Sequence, residues 1–411
     1  MRNYFLIIGS TSYFDDYLSK IDVEKDSFIE LVRQDDTQRK GGVITWDPSP
    51  NLVVRNSDYH GLVASAHDRL GELIKEFTTE DAYIYIHNPP AALVRQLMAQ
   101  YELGDIVVKK KNEEYDINRD PKAFAAGISE IQKKIIGQET AIKDISKSIW
   151  YLTKVNRKKP YVVMLYGNSS LGKTQLVREI AKSFFKSKYM EKHLSMFKNG
   201  NYAEYFFGNE PNRSSIGFEL LERESNLVFL DEIDKCPEMF YSAFYTLFDN
   251  TVFKDYTYDV DISGVLIILT ANYTSMEEMK TALGLPIFYR IDKFIHFDDF
   301  SKENILSAAK TNPEGSYATA QEMEEQGVRK GETLLEDGTA FTLGKAGNAV
   351  RKPLTCERKP NGCPPQNEVH DEPYPFEGMH SPTVICIVQR IRAGTLWIVR
   401  DNGPRPKVAA Q

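Results

Sequence analysis

A chain of 411 residues is long enough for two or three domains, each able to bury its own core. With 42% hydrophobic and 27% charged residues it has an ordinary globular composition, and a formal net charge of −7 argues against an indiscriminate nucleic-acid binder. No apolar run approaches the ~20 residues of a membrane span, and the widest, such as residues 265–269, are strand-sized. An apolar stretch at residues 4–8 is followed by Asp15 and Asp16 without a cleavage-site pattern, so no secretion signal is expected. Cys236, Cys356, Cys363 and Cys386 are too few and too scattered for a disulfide scaffold, which suits a reducing cytoplasm.

Residues 1–118 alternate short apolar runs with helical patterns. Residues 4–8, 42–46, 82–86 and 106–108 read as strands; Leu62, Ala66, Leu70, Leu73 and Phe77, then Leu93, Leu97 and Tyr101, recur at helical spacing. Strands alternating with helices imply a small, mostly parallel, Rossmann-like α/β domain, which we read as a sensing or partner-binding module. Gly9-Ser10-Thr11-Ser12 lacks the G-x-G-x-x-G spacing of a dinucleotide loop and reads as a strand-to-helix turn. His87 ends a strand where open α/β sheets bind ligands, yet His87-Asn88-Pro89-Pro90 is also a good strand terminator. Lys109-Lys110-Lys111 and the polar residues 112–120 mark a domain boundary.

A helical stripe (Phe124, Ile128, Ile131, Ile135) then leads through Ile135-Ile136-Gly137-Gln138 and a second helix into the apolar strand at residues 161–166. Next comes Gly167-Asn168-Ser169-Ser170-Leu171-Gly172-Lys173-Thr174, which fits G-x-x-x-x-G-K-[ST]. Glycines at both ends let the backbone turn its N–H groups onto phosphate oxygens, and the helix after the loop points its positive end at the same charge. Lys173 is placed to reach the β/γ-phosphates and the Thr174 hydroxyl to bind Mg²⁺. A second apolar strand runs into Asp231-Glu232-Ile233-Asp234-Lys235, putting carboxylates at a sheet edge. Asp231 suits metal binding and Glu232 suits activation of an attacking water. A third, residues 264–270, ends in Ala271-Asn272, an amide able to orient that water.

In their order along the chain these motifs resemble the AAA+ ATPases, and among them the second ATPase module of Clp-type unfoldases and disaggregases. The resemblance rests on Ile135-Ile136-Gly137-Gln138, the phosphate loop, Asp231-Glu232-Ile233-Asp234-Lys235, Thr270-Ala271-Asn272 and Leu285-Pro286-Ile287-Phe288-Tyr289-Arg290-Ile291-Asp292. It implies a P-loop AAA+ core over residues 119–306, with Ile136 in the adenine-contacting motif, Asn272 as first sensor and Arg290 as an arginine finger completing a neighbour's site. It also implies ATP and Mg²⁺, self-association into a ring or partial ring, and hydrolysis coupled to remodelling of a protein partner. An ATP-dependent switch or scaffold with little turnover, in stress or phage defence, is the alternative; a nucleic-acid motor ranks lower.

Two stretches depart from that resemblance. Arg213 and Ser214 stand where a substrate-gripping aromatic would be expected, and Phe218 reads as the start of the next helix. After residues 297–305 the expected helical lid fades, and Arg351 and Arg358 lie in no recognisable helical context. Residues 307–411 are loop-rich, with a short helix at 319–325 and a β-hairpin at 383–388 and 395–399. Cys356, Cys363 and His370 do not have the usual spacing of zinc ligands.

Overall fold

The computed structural model describes residues 1–301, apart from 42–45, 116, 118, 198–202 and 209–212, and beyond them the strands at 332–334, 339–343, 349–353, 386–391 and 394–399. Residues 1–132, 140–166 and 174–296 form one compact unit; residues 133–139, 167–173 and 297–411 form another.

The first unit begins with β1 (Asn3–Ile8), α1 (Thr11–Ser19), β2 (Asp26–Ser27), α2 (Phe28–Arg39), β3 (Ser49–Val54), α3 (Ala64–Asp68), α4 (Leu70–Glu76), β4 (Thr78–His87), α5 (Ala91–Glu102) and β5 (Val107–Asn112). All pairings are parallel, in the order β2-β3-β4-β1-β5. One face buries Leu6, Ile84, Ile86, Leu93 and Leu97, and the other Ile7, Phe14, Val53 and Tyr85. This is the small α/β layer expected from the sequence, with three differences. Strand β3 carries Pro50 at its second residue, where the register with β4 shifts between Ser49 and Asn51, so the proline costs no ladder bond there. The stripe over residues 62–77 is broken at Arg69 (φ −105°, ψ 13°) into α3 and α4. Strand β5 runs on through Lys109-Lys110-Lys111, paired with β1, so the lysines belong to the sheet and not to a linker. Two of the three ammonium groups lie over rings, Lys109 5.3 Å from Phe5 and Lys111 5.2 Å from Tyr17, which supports a charged run on a strand. The strand expected at residues 42–46 falls almost wholly outside the described residues.

Helices α6 (Pro121–Lys134) and α7 (Glu139–Lys154) lead to β6 (Tyr161–Tyr166), α8 (Lys173–Phe184), β7 (Met190–His193), α9 (Ala203–Phe207), α10 (Ile216–Leu221) and β8 (Leu227–Asp231). Then follow α11 (Tyr241–Asp249), the antiparallel pair β9 (Val252–Lys254) and β10 (Asp259–Asp261), β11 (Leu266–Ala271), α12 (Met276–Phe288) and β12 (Lys293–His296). A second parallel sheet has the order β12-β6-β11-β8-β7. Its central strands are continuous apolar runs because helices cover both faces: every residue of β8 and β11 is buried. The core on one face gathers Val162, Met164, Val228, Leu230, Ile267 and Leu269 with aromatics of α9 and α11.

In the second unit, β13 (Glu332–Leu334), β14 (Thr339–Leu343) and β15 (Ala349–Pro353) form an antiparallel sheet, and β16 (Cys386–Ile391) and β17 (Gly394–Val399) pair as the expected hairpin. Arg351 lies on β15. The segment beyond residue 301 where a lid would be sought, the helix expected at 319–325, Arg358, Cys356, Cys363 and His370 lie outside the described residues. The described residues contain no helix long and apolar enough to cross a membrane.

Candidate functional site

Parallel pairing puts the carboxyl ends of β6, β7, β8 and β11 at one edge of the second sheet, where open α/β sheets receive ligands. Asp231 ends β8, next to β11, and its Oδ1 accepts a hydrogen bond from the Thr270 hydroxyl. The same hydroxyl accepts from the backbone N–H of Glu232 at 2.9 Å, so one side chain fixes two consecutive acids. Glu232 is thereby held left-handed (φ 59°, ψ 50°), a conformation an L side chain adopts at a cost of about 1–2 kcal/mol. The Thr174 hydroxyl, in the first turn of α8, lies 3.4 Å from Asp231 Oδ1.

Asn272, just past β11, donates from Nδ2 to Asp234 Oδ2 over 3.5 Å, and Lys235 Nζ reaches the same oxygen at 2.8 Å. That carboxylate holds the Lys235 ammonium above its ordinary range. Asp234 Oδ1 is buried without a hydrogen-bond partner among the described residues. Beneath the turn, burial pushes the Cys236 thiol up to about 12, which removes it from thiolate chemistry. Four of the acids and amides marked by sequence, Asp231, Glu232, Asp234 and Asn272, thus share one edge.

Two groups at this edge escaped the sequence reading. His193 ends β7 and is paired in register with Asp231; its Nδ1 lies 3.2 Å from Asp231 Oδ2. Thr270 was noted only as part of a motif, while its hydroxyl organises both acids. Neither role is readable before strand register is known, because both depend on which residues face each other across the sheet.

In the second unit the phosphate loop has a shape set by its glycines. Gly167 has φ 142°, and a Cβ there would meet the Phe297 carbonyl oxygen at 2.5 Å, so the position admits no side chain. Gly172 has φ 92° with open space around it, which leaves its constraint purely conformational. Ser170, also left-handed (φ 64°), and Ser169 are exposed, whereas Leu171 is buried. Lys173 is buried, and its Nζ donates to the carbonyls of Gly167 (2.8 Å) and Asn168 (2.7 Å), curling the loop around an ammonium. Asn168 Nδ2 donates to Asp299 Oδ1 at 2.8 Å. In the segment before α7, Ile136 is half-buried, and Gln138 exchanges hydrogen bonds with the backbone of Asp298.

Arg290 follows α12, whose helix is interrupted at Gly284 (φ 72°) before Pro286. Its Nη1 donates to the Pro286 carbonyl at 2.7 Å, its Nε lies 3.6 Å from Asp249, and its guanidinium covers the Tyr245 ring at 4.9 Å. The arginine is therefore packed against the carboxyl end of α11. Phe218 is in α10, capped by Ser215, and packs against the core beside His60, as the sequence suggested. Arg213 and Ser214 are exposed, and residues 209–212 of the expected gripping segment lie outside the described residues. His87 is buried, stacks on Phe14 at 4.5 Å and bonds the Gly9 carbonyl at 2.9 Å; burial holds its imidazole below the ordinary range, neutral. No group of three or more His, Cys, Asp or Glu arranged for a metal occurs among the described residues.

The stretch that carries this edge is similar to known proteins. The family model described as "ATPase family associated with various cellular activities (AAA)" matches residues 163–299. The mitochondrial disaggregase of Rattus norvegicus is 28% identical over 173 residues, covering 38% of this chain and 25% of that protein. Chaperone protein ClpB 1 of Thermosynechococcus vestitus is 23% identical over 292 residues, 61% of this chain and 33% of its own length. The ClpE ATP-binding subunit of the ATP-dependent Clp protease of Lactococcus lactis is 24% identical over 331 residues, 71% and 42%. This chain thus spans between a quarter and about two-fifths of the length of these relatives. Residues 163–299 thus match the AAA family and resemble the corresponding modules of Clp-type chaperones and disaggregases.

Proposed function

We propose that the chain binds ATP, hydrolyses it with Mg²⁺, and couples that cycle to remodelling of a protein partner within a ring or partial ring. The reading rests above all on the meeting of the Thr174 hydroxyl and the Asp231 carboxylate, on a helix that opens directly from a G-x-x-x-x-G-K-T loop. A hydroxyl and a carboxylate are hard oxygen donors, suited to Mg²⁺ and not to softer metals, and Asp234 Oδ1 leaves one buried acceptor at the same edge still to be satisfied. Thr174 and Asp231 would hold the metal, which when bound neutralises charge developing on the β- and γ-phosphates.

In this reading the residues divide the work. Gly167, Asn168, Ser169, Ser170, Leu171 and Gly172 wrap the phosphates with backbone, and Lys173 exchanges its two carbonyl partners for phosphate oxygens. Ile136 contacts the base. Glu232, fixed through Thr270, takes a proton from the attacking water, while Asn272 orients that water against the γ-phosphate. Arg290 acts across a subunit boundary, which requires release from Asp249 and Tyr245. The amino-terminal sheet serves as the sensing or partner-binding layer.

The test is steady-state ATP hydrolysis at increasing protein concentration, beside equilibrium ATP binding, for the parent and Glu232→Gln. The parent's specific activity should rise with concentration as subunits assemble. The variant should bind ATP normally yet turn over about 10²–10⁴-fold more slowly, the range for losing a general base. Parental turnover in the variant would refute the assignment, and tight binding without turnover in the parent would favour the ATP-dependent switch.

A further inference from the structure

Glu222 closes α10 and begins the turn that feeds the acidic strand β8, yet its carboxylate is bound by the amino-terminal sheet. Oε2 accepts from the backbone N–H of Thr11 at 2.9 Å and from the Thr11 hydroxyl at 2.8 Å. Oε1 accepts from Asn56 Nδ2 at 2.8 Å and Asn88 Nδ2 at 3.2 Å, and His87 Nε2 lies 3.6 Å away. These donors come from the loops after β1, β3 and β4, so they converge at the carboxyl ends of three neighbouring strands.

The receptor is built rather than incidental. Asn56, His87 and Asn88 are each at most 1% exposed. Asn88 is held left-handed (φ 45°) while its Oδ1 accepts from Gly9 N–H and its Nδ2 also reaches the Gly9 carbonyl, which locks its amide. Asn56 is fixed from its other side by the Tyr258 hydroxyl. Neutral donors hold the carboxylate, with no Lys or Arg among its hydrogen-bond partners in the described residues, so recognition is by directed hydrogen bonds rather than bulk charge. The Glu222 side chain keeps 21% of its surface open to solvent, so the position is reachable from outside.

We infer that this crevice is a carboxylate-receiving site and that Glu222 is its internal ligand, a latch holding the turn before β8 against the amino-terminal sheet. A partner or metabolite presenting a carboxylate of its own displaces Glu222 and frees that turn, which gives the amino-terminal layer a route to the acidic edge at the far end of β8. The latch is independent of whether the protein hydrolyses ATP, and so is its test.

The experiment is amide hydrogen exchange on the full chain, comparing the parent with Glu222→Ala, with and without sodium acetate as the probe. The Thr11 amide should exchange about ten- to a hundredfold faster in the variant, the scale of losing a hydrogen bond to a charged group, while amides of β6 keep parental rates. Acetate should restore protection at Thr11, and sodium chloride at equal ionic strength should not. Unchanged exchange at Thr11 overturns the latch. Faster exchange that acetate leaves untouched overturns the carboxylate-receiving site. Should Glu222→Ala fail to fold, Glu222→Gln carries the test: it fills the crevice without charge, so Thr11 exchange must rise and stay high in acetate, and parental exchange would refute the proposal.

Discussion

The two five-stranded parallel sheets share an architecture but present opposite chemistry at their carboxyl edges. In the amino-terminal sheet the edge consists of hydrogen-bond donors: the Thr11 and Ser10 amides, Asn56 and Asn88. Carboxylates of the same chain already occupy them, Glu222 on Thr11 and Glu113 on the Ser10 amide and hydroxyl. In the second sheet the edge is dominated by acceptors, with Asp231, Glu232 and Asp234 at the end of β8, and Asp234 Oδ1 lacks a donor among the described residues. The first edge is satisfied internally, whereas the second keeps one buried carboxylate oxygen without a partner among the described residues. The difference follows from what stands after the strands, since the carboxyl-terminal half of β4 is nearly as buried as β8 and β11 throughout.

The comparison is broken most severely by hollowing either sheet. Ile86 in β4 and Ile268 in β11 are fully buried, Ile86 between Leu6 and Val54 and Ile268 between Val163 and Phe229. Replacing either by Ala should cost about 2–5 kcal/mol. Because both sheets lie in one compact unit, joined also by the Ala91 N–H to Thr257 carbonyl bond of 2.8 Å, a calorimetric scan should show each variant lowering the same transition. Two transitions, each answering to only one of the substitutions, would mean that the sheets fold independently and that residues 1–118 are a separable domain.

A smaller effect sharpens the contrast at the acceptor edge. Thr270→Val keeps the volume and the β-branched shape but removes the donor to Asp231 and the acceptor for the Glu232 amide. Leaving these buried groups unpaired should cost about 1–3 kcal/mol, read as a lower urea midpoint with an unchanged slope. Midpoints equal to the parent's would mean that water replaces the hydroxyl and that Glu232 is not held in its left-handed conformation by Thr270.

Sequence patterning made the second sheet far more legible than the first. Strands β6, β8 and β11 announce themselves because burial on both faces demands unbroken apolar residues, and the glycines of the phosphate loop mark turns that other residues cannot make. Strand β3 was hidden because Pro50 and Asn51 leave only Leu52, Val53 and Val54 as an apolar signal, and α2 because its residues are mostly polar beyond Phe28 and Leu31, with Asp35 buried on the same helix. The lysines of β5 misled for a related reason: aromatic rings from β1 and α1 support them, and ring placement depends on the fold. At the candidate site the acids and the amide were visible as motif letters, whereas His193 and Thr270 acquired meaning only from register. Glu222 could not be read at all, since its partners lie more than a hundred residues away in the chain.

The finest comparison uses three serine caps. Ser10, Ser215 and Ser275 begin α1, α10 and α12, and each hydroxyl accepts from the backbone N–H three residues on. Ser275 does little else, so Ser275→Ala should cost about 1 kcal/mol, an ordinary cap. Ser10 also donates to Glu113 at 2.9 Å and Ser215 to Asp255 at 2.5 Å, so each of these anchors a carboxylate as well as a helix. Ser10→Ala and Ser215→Ala should therefore exceed the Ser275→Ala loss by a further hydrogen bond to a charged group, about 1.5–3 kcal/mol at most. Chemical denaturation of the three variants side by side measures the ranking. Equal losses at all three would mean that Glu113 finds enough support from the Ser10 amide and the Tyr115 hydroxyl alone, and that the donor edge of the first sheet tolerates the removal of one of its donors.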